Sequence, residues 1–541
     1  MNKIVITISI LLVAVFSVAY LYFSNLSVGS KTNDKALSLI PASAGFIYSF
    51  KNDKAYFEIF KDYKLFDAIL GSRNQEEFSA IKQNLLDLNK LRLISADQNI
   101  FLSFHPQVSD SVAFLWTIPL IKELDKDDLM QYLNQNKGTS AKWIDIKGMQ
   151  IAEVYFKQIN KVFYLYVNKG IASGSFCRQL LLQIADNSVP KLSKDFIAEI
   201  NSGGLKNDNS PANIFINRES SKQFLSSFLR QQNPQGNFNL LNNLSGFTTL
   251  NMNYKSDALM FNGITTTDTS KSAYLNLFLH QKAVKNPITQ IVPENTAYYI
   301  AYGLSDYRLF ARDLKAFHKQ RNELVRLDEQ INLISKETGI HPNRDIQKYW
   351  GNEFITFQLS NGEKLGAIKL TNGRQMKFFL QPLGSEYSEN IWRLNYSGLF
   401  YNYFGEPFKK FDAPFYTIID NYLIMSNSPG SVQRFLTNYN SDNQLYKTPK
   451  FEKFNHLVAD QSNILVFIHV KNSGDNVNSL LKSSFAKTVN SKEYGFNNFY
   501  GLSYQLSSDG DHFFTNFYAG SKQLVEPEVK QDTIADSVLI N

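Results

Sequence analysis

The chain has 541 residues, of which 43% are hydrophobic and 19% charged, a balance that excludes a disordered chain and allows two to four domains. The formal net charge is +7, yet the longest basic run is Lys409-Lys410, so there is no counterion-releasing stripe for nucleic acid. The single cysteine, Cys177, excludes an intrachain disulfide and a thiolate-based zinc site.

Residues 4–23 read IVITISILLVAVFSVAYLYF and carry no charge. A helix of about 20 residues, rising about 1.5 Å per residue, matches the hydrocarbon core of a bilayer. Lys3 precedes the run, and Tyr20 and Tyr22 lie near its far end, where an interfacial belt would sit. The expectation is a cytoplasmic stub at 1–3, a transmembrane anchor at 4–23 and a polar tether at 24–36. Cleavage after Ala19 is the competing reading, but the apolar run continues to Phe23. No cysteine lies in or near the run, which excludes a lipoprotein anchor at this point. Either reading exports the rest of the chain. The expected location is a bacterial cell membrane, crossed once, with the bulk of the chain on the periplasmic side.

AGFIYSF at 44–50 reads as a strand, and DKAYFEIFKDYKLFDAIL after it as a helix. Phe78, Ile81, Leu85 and Leu88 recur at helical spacing. NIFLSF and SVAFLWTIPL read as strands on either side of a polar turn, HPQVSD. DKDDLMQYLNQN is a helix with acids in its first turn, where they favour the helix dipole. KGMQIAEVYF and KVFYLYVN form a β pair, SFCRQLLLQIADN a helix and ANIFIN a strand. A helical stretch and two long strands, GFTTLNMNYKSD and ALMFNGITTTD, follow.

The order then begins again. TQIVPENTAYYIAY at 289–302 echoes LSLIPASAGFIYSF at 37–50, with Pro293 lying 252 residues after Pro41. At nearly the same offset NEFITF follows NIFLSF, APFYTIID follows KVFYLYVN, SNILVF follows ANIFIN, and LSSDGDHFFTN follows YKSDALMFNG. Self-similarity at a domain-sized period predicts a tandem duplication. The expectation is lobe 1 at 37–270, a connector at 271–287 that packs as a short helix, lobe 2 at 288–521 and a flexible tail at 522–541. The helical region of lobe 2 runs from about Tyr307 to Lys336 and stops at Gly339. The expected fold class is α+β: two tandem duplicated lobes, each a largely antiparallel sheet with helices packed on it and one face covered, behind one N-terminal transmembrane helix.

The segments Val292–Ala297 and Glu337–Phe354, with the pattern E-T-G-I-x-P-x-x-D-I-x-x-Y-W-G-N-E-F, resemble an uncharacterised bacterial domain-of-unknown-function family of N-terminally anchored envelope proteins. Leu39 to Ala44 fit as well, but lobe 1 lacks a counterpart of the second segment before Asn99. The resemblance implies no activity and no cofactor.

Chemical motifs are sparse. There is no G-x-S-x-G elbow, no phosphate-cradling G-x-x-x-x-G-K-[ST] loop and no H-E-x-x-H. No two of the seven histidines lie within four residues. Cys177 reads as an apolar filler on a helix. Glu123, Asp125, Asp127 and Asp128 read as a helix N-terminus rather than a calcium loop. Asp509-Gly510-Asp511 and Ser256-Asp257 read as hairpin turns. Most aromatics read as core, and Trp350 beside Gly351 is the one to inspect for a ligand. No catalytic, cofactor-binding or metal-binding residue is assigned. The reading is a non-catalytic envelope protein that binds a partner protein or an apolar or glycan ligand, with no nucleic acid. The alternative is an anchored envelope hydrolase whose carboxylate pair no motif announces. A pocket holding two converging acids would favour the hydrolase.

Overall fold

The computed structural model describes residues 32–522, except 62–63, 108–110, 147, 206–209, 231–239, 241–242, 256–257 and 492–494. Among the described residues twenty strands form one antiparallel sheet. The first ten are β1 (Phe46–Lys51), β2 (Asn99–Gln107), β3 (Ser111–Pro119), β4 (Thr139–Ile146), β5 (Met149–Phe156), β6 (Lys161–Asn168), β7 (Ile171–Ser175), β8 (Ala212–Asn217), β9 (Phe247–Lys255) and β10 (Ala258–Thr266). The second ten are β11 (Thr296–Gly303), β12 (Trp350–Leu359), β13 (Lys364–Leu370), β14 (Gly384–Ser388), β15 (Ile391–Leu394), β16 (Phe415–Ile419), β17 (Tyr422–Ser426), β18 (Ile464–His469), β19 (Phe499–Ser508) and β20 (His512–Ser521).

In the first half the strands lie in the order β10-β9-β8-β1-β2-β3-β7-β6-β5-β4. In the second half the order is β20-β19-β18-β11-β12-β13-β17-β16-β15-β14. The two runs meet where β10 pairs with β20, from Ala258↔Gly520 to Thr266↔His512. This seam corrects the expected fold class, because the halves share a single sheet and are not two separately sheeted lobes. Buried Phe261 of β10 packs in one core with Phe499 and Ala519, and Ala258 packs with Tyr500 and Tyr518. Arg218 adds a hydrogen bond across the halves, from Nη2 to the Tyr504 hydroxyl at 2.6 Å.

Both faces of the sheet are covered, where one covered face was expected. Ile300, Tyr302 and Phe354 face the helices Tyr307–Gln320, Leu324–Thr338 and Leu399–Phe404. Their neighbours Tyr299, Ala301 and Ile355 face the helices Pro429–Asn440 and Pro449–Asn455. Period-two alternation sends successive side chains into two different cores, and apolar residues on both sides demand two coats.

The helical region at Tyr307 to Lys336 is two helices. Asp306 opens the first, accepting the N–H groups of Arg308 and Leu309. Asn322, at φ 58°, breaks the chain direction between them, and Gly339, at φ 72°, ends the second. The connector forms a 3₁₀ turn, Tyr274–Phe278, buried in the second-half core. Residues 32–36 of the expected tether are helical, the helix running on to Leu37, and Ala36 and Leu37 are buried against Phe101 and Phe215. β2 runs on through His105, Pro106 and Gln107, where a polar turn was expected.

Among the described residues no helix is long and apolar enough to cross a membrane. The expected single-pass, signal-anchored placement at a cell membrane therefore has no support in the structure. The stub at 1–3 and the anchor at 4–23 lie outside the described residues, as does the tail beyond Lys522.

Candidate functional site

An apolar cavity of about 60 Å³ lies in the first half, between the sheet and the helical segments laid over it. Its floor comes from β3, β6 and β7. Trp116, Ile118 and Leu120 recur at spacing two along and just past β3, as do Phe163, Leu165 and Val167 along β6, so each set points to the same side. β7 contributes Ala172 and Gly174, and the Phe163 ring fills the space above Gly174, where a Cβ would come within 2.3 Å of the ring. The roof comes from Ile81, Leu85, Leu91 and Ile94, with Leu124 and Leu129 closing one side. The helix Lys126–Gln135, which carries Leu129, is held in place by Asp125, whose carboxylate accepts the N–H groups of Asp127 and Asp128.

Among the described residues, Ser95 is the only one with a polar side-chain group in the lining, apart from the Trp116 indole. Its hydroxyl donates to the Leu91 carbonyl at 2.8 Å and accepts from Asn52 Nδ2 at 3.0 Å. Among the described residues no charged side chain lines the cavity. Exposed Leu93 and Ile121 flank the lining residues Ile94 and Leu120, and the Ile121 N–H donates to the Ile94 carbonyl at 2.8 Å. An apolar interior with an apolar edge suits an uncharged hydrocarbon surface.

The residues singled out in the sequence do not meet at this cavity. Cys177 is half-buried at the start of the helix Arg178–Ala185, with its thiol 3.5 Å from Gln107 Oε1. Asp509 to Asp511 form the turn between β19 and β20, with Gly510 at φ 85°. Residues 256 and 257, between β9 and β10, lie outside the described residues. Trp350 is buried among Phe400, Tyr403 and Phe404, so it offers no face to a ligand. At Gly351 a Cβ would stand 2.7 Å from the Lys369 carbonyl oxygen, so the backbones approach closely there.

The carboxylate pair required by a hydrolase is found in neither described cavity. Among the described residues the apolar cavity is lined by no acid, and a polar cleft in the second half by Glu294 alone. The buried acid Glu353 serves the fold: it pairs with Lys369 at 2.6 Å and accepts the Ile288 N–H at 2.8 Å. His105 lies between two serines, Ser43 and Ser103, at 2.9 Å each, but it is 1% exposed and lines no described cavity. Among the described residues no group of three or more His, Cys, Asp or Glu could hold a metal ion. The cavity residues carried no signal of their own in the sequence, because an apolar lining and an apolar core have the same alternation.

No family model matches the chain, so the resemblance to the uncharacterised family rests on its residues alone. No curated protein matches it. Among solved structures, crystal form IV of TP0453 is 12% identical and covers 43% of this chain and 80% of that chain, at a TM-score of 0.24. Crystal form III of the same protein is 10% identical and covers 46% and 88%, also at 0.24. A likeness at that score carries no argument about function.

Proposed function

We propose that the protein is a non-catalytic binding protein whose ligand is apolar and inserts the end of an alkyl chain into the cavity over β3, β7 and β6. The observation that carries this reading is the commitment of Ser95: its hydroxyl donates to the Leu91 carbonyl and accepts from Asn52, so the described lining offers a ligand chiefly dispersion and dehydration. A glycan would surrender hydration of its hydroxyls for no return there. Left empty, the cavity costs about 1.4 kcal/mol at roughly 24 cal/mol per Å³, a cost that filling it removes. Water is a poor filler, since it needs two to four polar partners.

Binding is measured by thermal midpoint, with xenon and short alkanes as probes. At about 100 times the dissociation constant, a probe stabilises the chain by roughly 2.7 kcal/mol. Ala172→Leu projects into the cavity, and it is expected to hold or raise the ligand-free stability while abolishing the shift. If the shift survives unchanged in A172L, or if no apolar probe gives one, the proposal is wrong.

A further inference from the structure

At the seam, the face of the sheet turned away from the apolar cavity carries a row of amides. Asn213 of β8 pairs with Asn251 of β9, Asn251 with Asn262 of β10, Asn262 with Asn516 of β20, and Asn516 with Gln505 of β19. Directly paired residues point to one side of a sheet, so the five carboxamides share a face. On one side of the row, Met260 lies between Asn253 and Tyr518; on the other, Ile264 lies between Thr249 and Phe514. Asn253, Asn262 and Phe514 are exposed, Phe514 by 47%. Two walls flank them. The helical turn Ile200–Gly204 stands over β9, where a Cβ on Gly203 would lie 3.2 Å from Thr249 Oγ1. Gln505 holds the loop at Ala459 over β19, donating to its carbonyl at 2.7 Å and accepting its N–H at 3.0 Å. Three strand spacings separate the walls, roughly 14 Å, and β10 and β20 form the floor between them.

Asparagine is depleted from strands, and three in register on adjacent central strands go against local propensity. The other face of the same strands shows a polar row that satisfies itself: the hydroxyls of Thr248, Thr265 and Thr515 bond one another at 2.9 and 2.7 Å. Among the described residues no such closure joins the side chains of Asn251, Asn262 and Asn516. Asn213 is 7% exposed, and its Oδ1 and that of Asn251 are buried with no partner among the described residues. Buried acceptors left unpaired destabilise a fold, and an external donor relieves them.

We propose that this groove binds a short, uncharged glycan chain. A carboxamide carries both donors and an acceptor, and each sugar hydroxyl both donates and accepts, so the two match without charge. No charged side chain stands in the amide row or in the two rows beside it, so an ionic ligand finds no counter-charge there. Along the floor the amides lie between Met260 on one side and Ile264 and Phe514 on the other, apolar supports for the C–H face of a sugar ring. An extended peptide fits less well: β10 is paired on both sides, by β9 and β20, so no strand can be added. The groove and the apolar cavity lie on opposite faces of the sheet, and the two proposals stand or fall independently.

The test is calorimetric titration of the full chain with cellotetraose, chitotetraose and maltotetraose, beside a tetra-alanine peptide blocked at both ends. Saturable binding of at least one tetrasaccharide is expected, at an affinity that added salt leaves unchanged. N262A/N516A is expected to weaken binding by about tenfold with the thermal midpoint kept. F514W places an indole on the floor, and its emission is expected to shift as the saccharide is added, a local signal that misfolding cannot produce. The proposal is overturned if no tetrasaccharide saturates the protein, if binding falls with salt, or if the double variant binds as the parent does. Binding of the peptide in place of the saccharides overturns it too. Binding that appears only once residues 1–31 are removed assigns the groove to that segment and likewise overturns it.

Discussion

His105 shows how one buried ring ties stability to pH. Its two nitrogens meet the hydroxyls of Ser43 and Ser103, and burial pushes its pKa down to about 3. In the unfolded chain the ring titrates near 6.5, so as pH falls the unfolded state takes the proton first. The stability from a neutral buried ring is fully present above pH 6.5 and is lost progressively as pH falls toward 3. At pH 5 the loss from this residue is about 2 kcal/mol relative to pH 7. His318 and His469, both lowered by burial, act in the same direction. Denaturant midpoints at pH 7 and pH 5 measure the slope. His105→Gln keeps hydrogen-bonding groups but no titration, and it is expected to shrink the difference by about that amount. An unaltered slope in H105Q would show that the proton is taken elsewhere. In the sequence this histidine sat in an apparent polar turn, HPQVSD, and nothing in a single strand's polarity announced the serines that would solvate it.

Elements were more legible than their registers. Five landmark pairs fall on corresponding strands in the two orders: β1 with β11, β2 with β12, β6 with β16, β8 with β18, and the hairpin strands that end each half. Pro41 and Pro293 both form isolated bridges, to Lys191 and Gln444. Yet NIFLSF and NEFITF, matched by letters, are one residue out. The letters set Phe101 against Phe354, but Phe101 packs with Ile47 on one face and Phe354 with Tyr302 on the other. The residue that plays the part of Phe354 is Ile100, which pairs with Phe50 as Phe354 pairs with Tyr302. β12 is irregular between Trp350 and Phe354, and a strand of period two cannot reveal an extra residue in its own pattern. β4 was missed because its residues are mostly half-exposed or exposed. At this scale Gly263 of β10 is the sharpest test. A Cβ there would lie 1.9 Å from the Thr249 carbonyl oxygen, so the neighbouring backbone must move. Gly263→Val is expected to cost about 3 kcal/mol or more, read as a lowered denaturant midpoint. A change below ~1 kcal/mol would show that β9 yields freely.

For the whole molecule, the seam decides whether the halves melt together. β10 has β9 on one side and β20 on the other, and the hydroxyls of Thr248, Thr265 and Thr515 run across all three strands at 2.9 and 2.7 Å. Asn262 pairs with Asn516 at its middle. Calorimetry is expected to give one coupled transition. N–H groups of adjacent strand residues point to opposite sides, so of F261P and N262P one strikes the seam and the other strikes β9. The seam-striking proline is expected to split the transition in two, and the other to lower it by about 3 kcal/mol without splitting. Two independent transitions in the parent chain would show that the seam couples nothing. Neither seam strand betrayed its partner in the sequence, since alternation fixes a strand's faces and leaves its neighbours open.

The seam also sets an order of events during synthesis. Strand β10 leaves the ribosome some 250 residues before β20 does, a wait of about 12 to 50 seconds at 5–20 residues per second. Throughout that interval the nascent first half presents β10, nine residues long, as an unprotected edge carrying Met260, Phe261 and Ile264. A second nascent chain on the same messenger presents the same edge, and antiparallel pairing of two copies of β10 is the association most available to it.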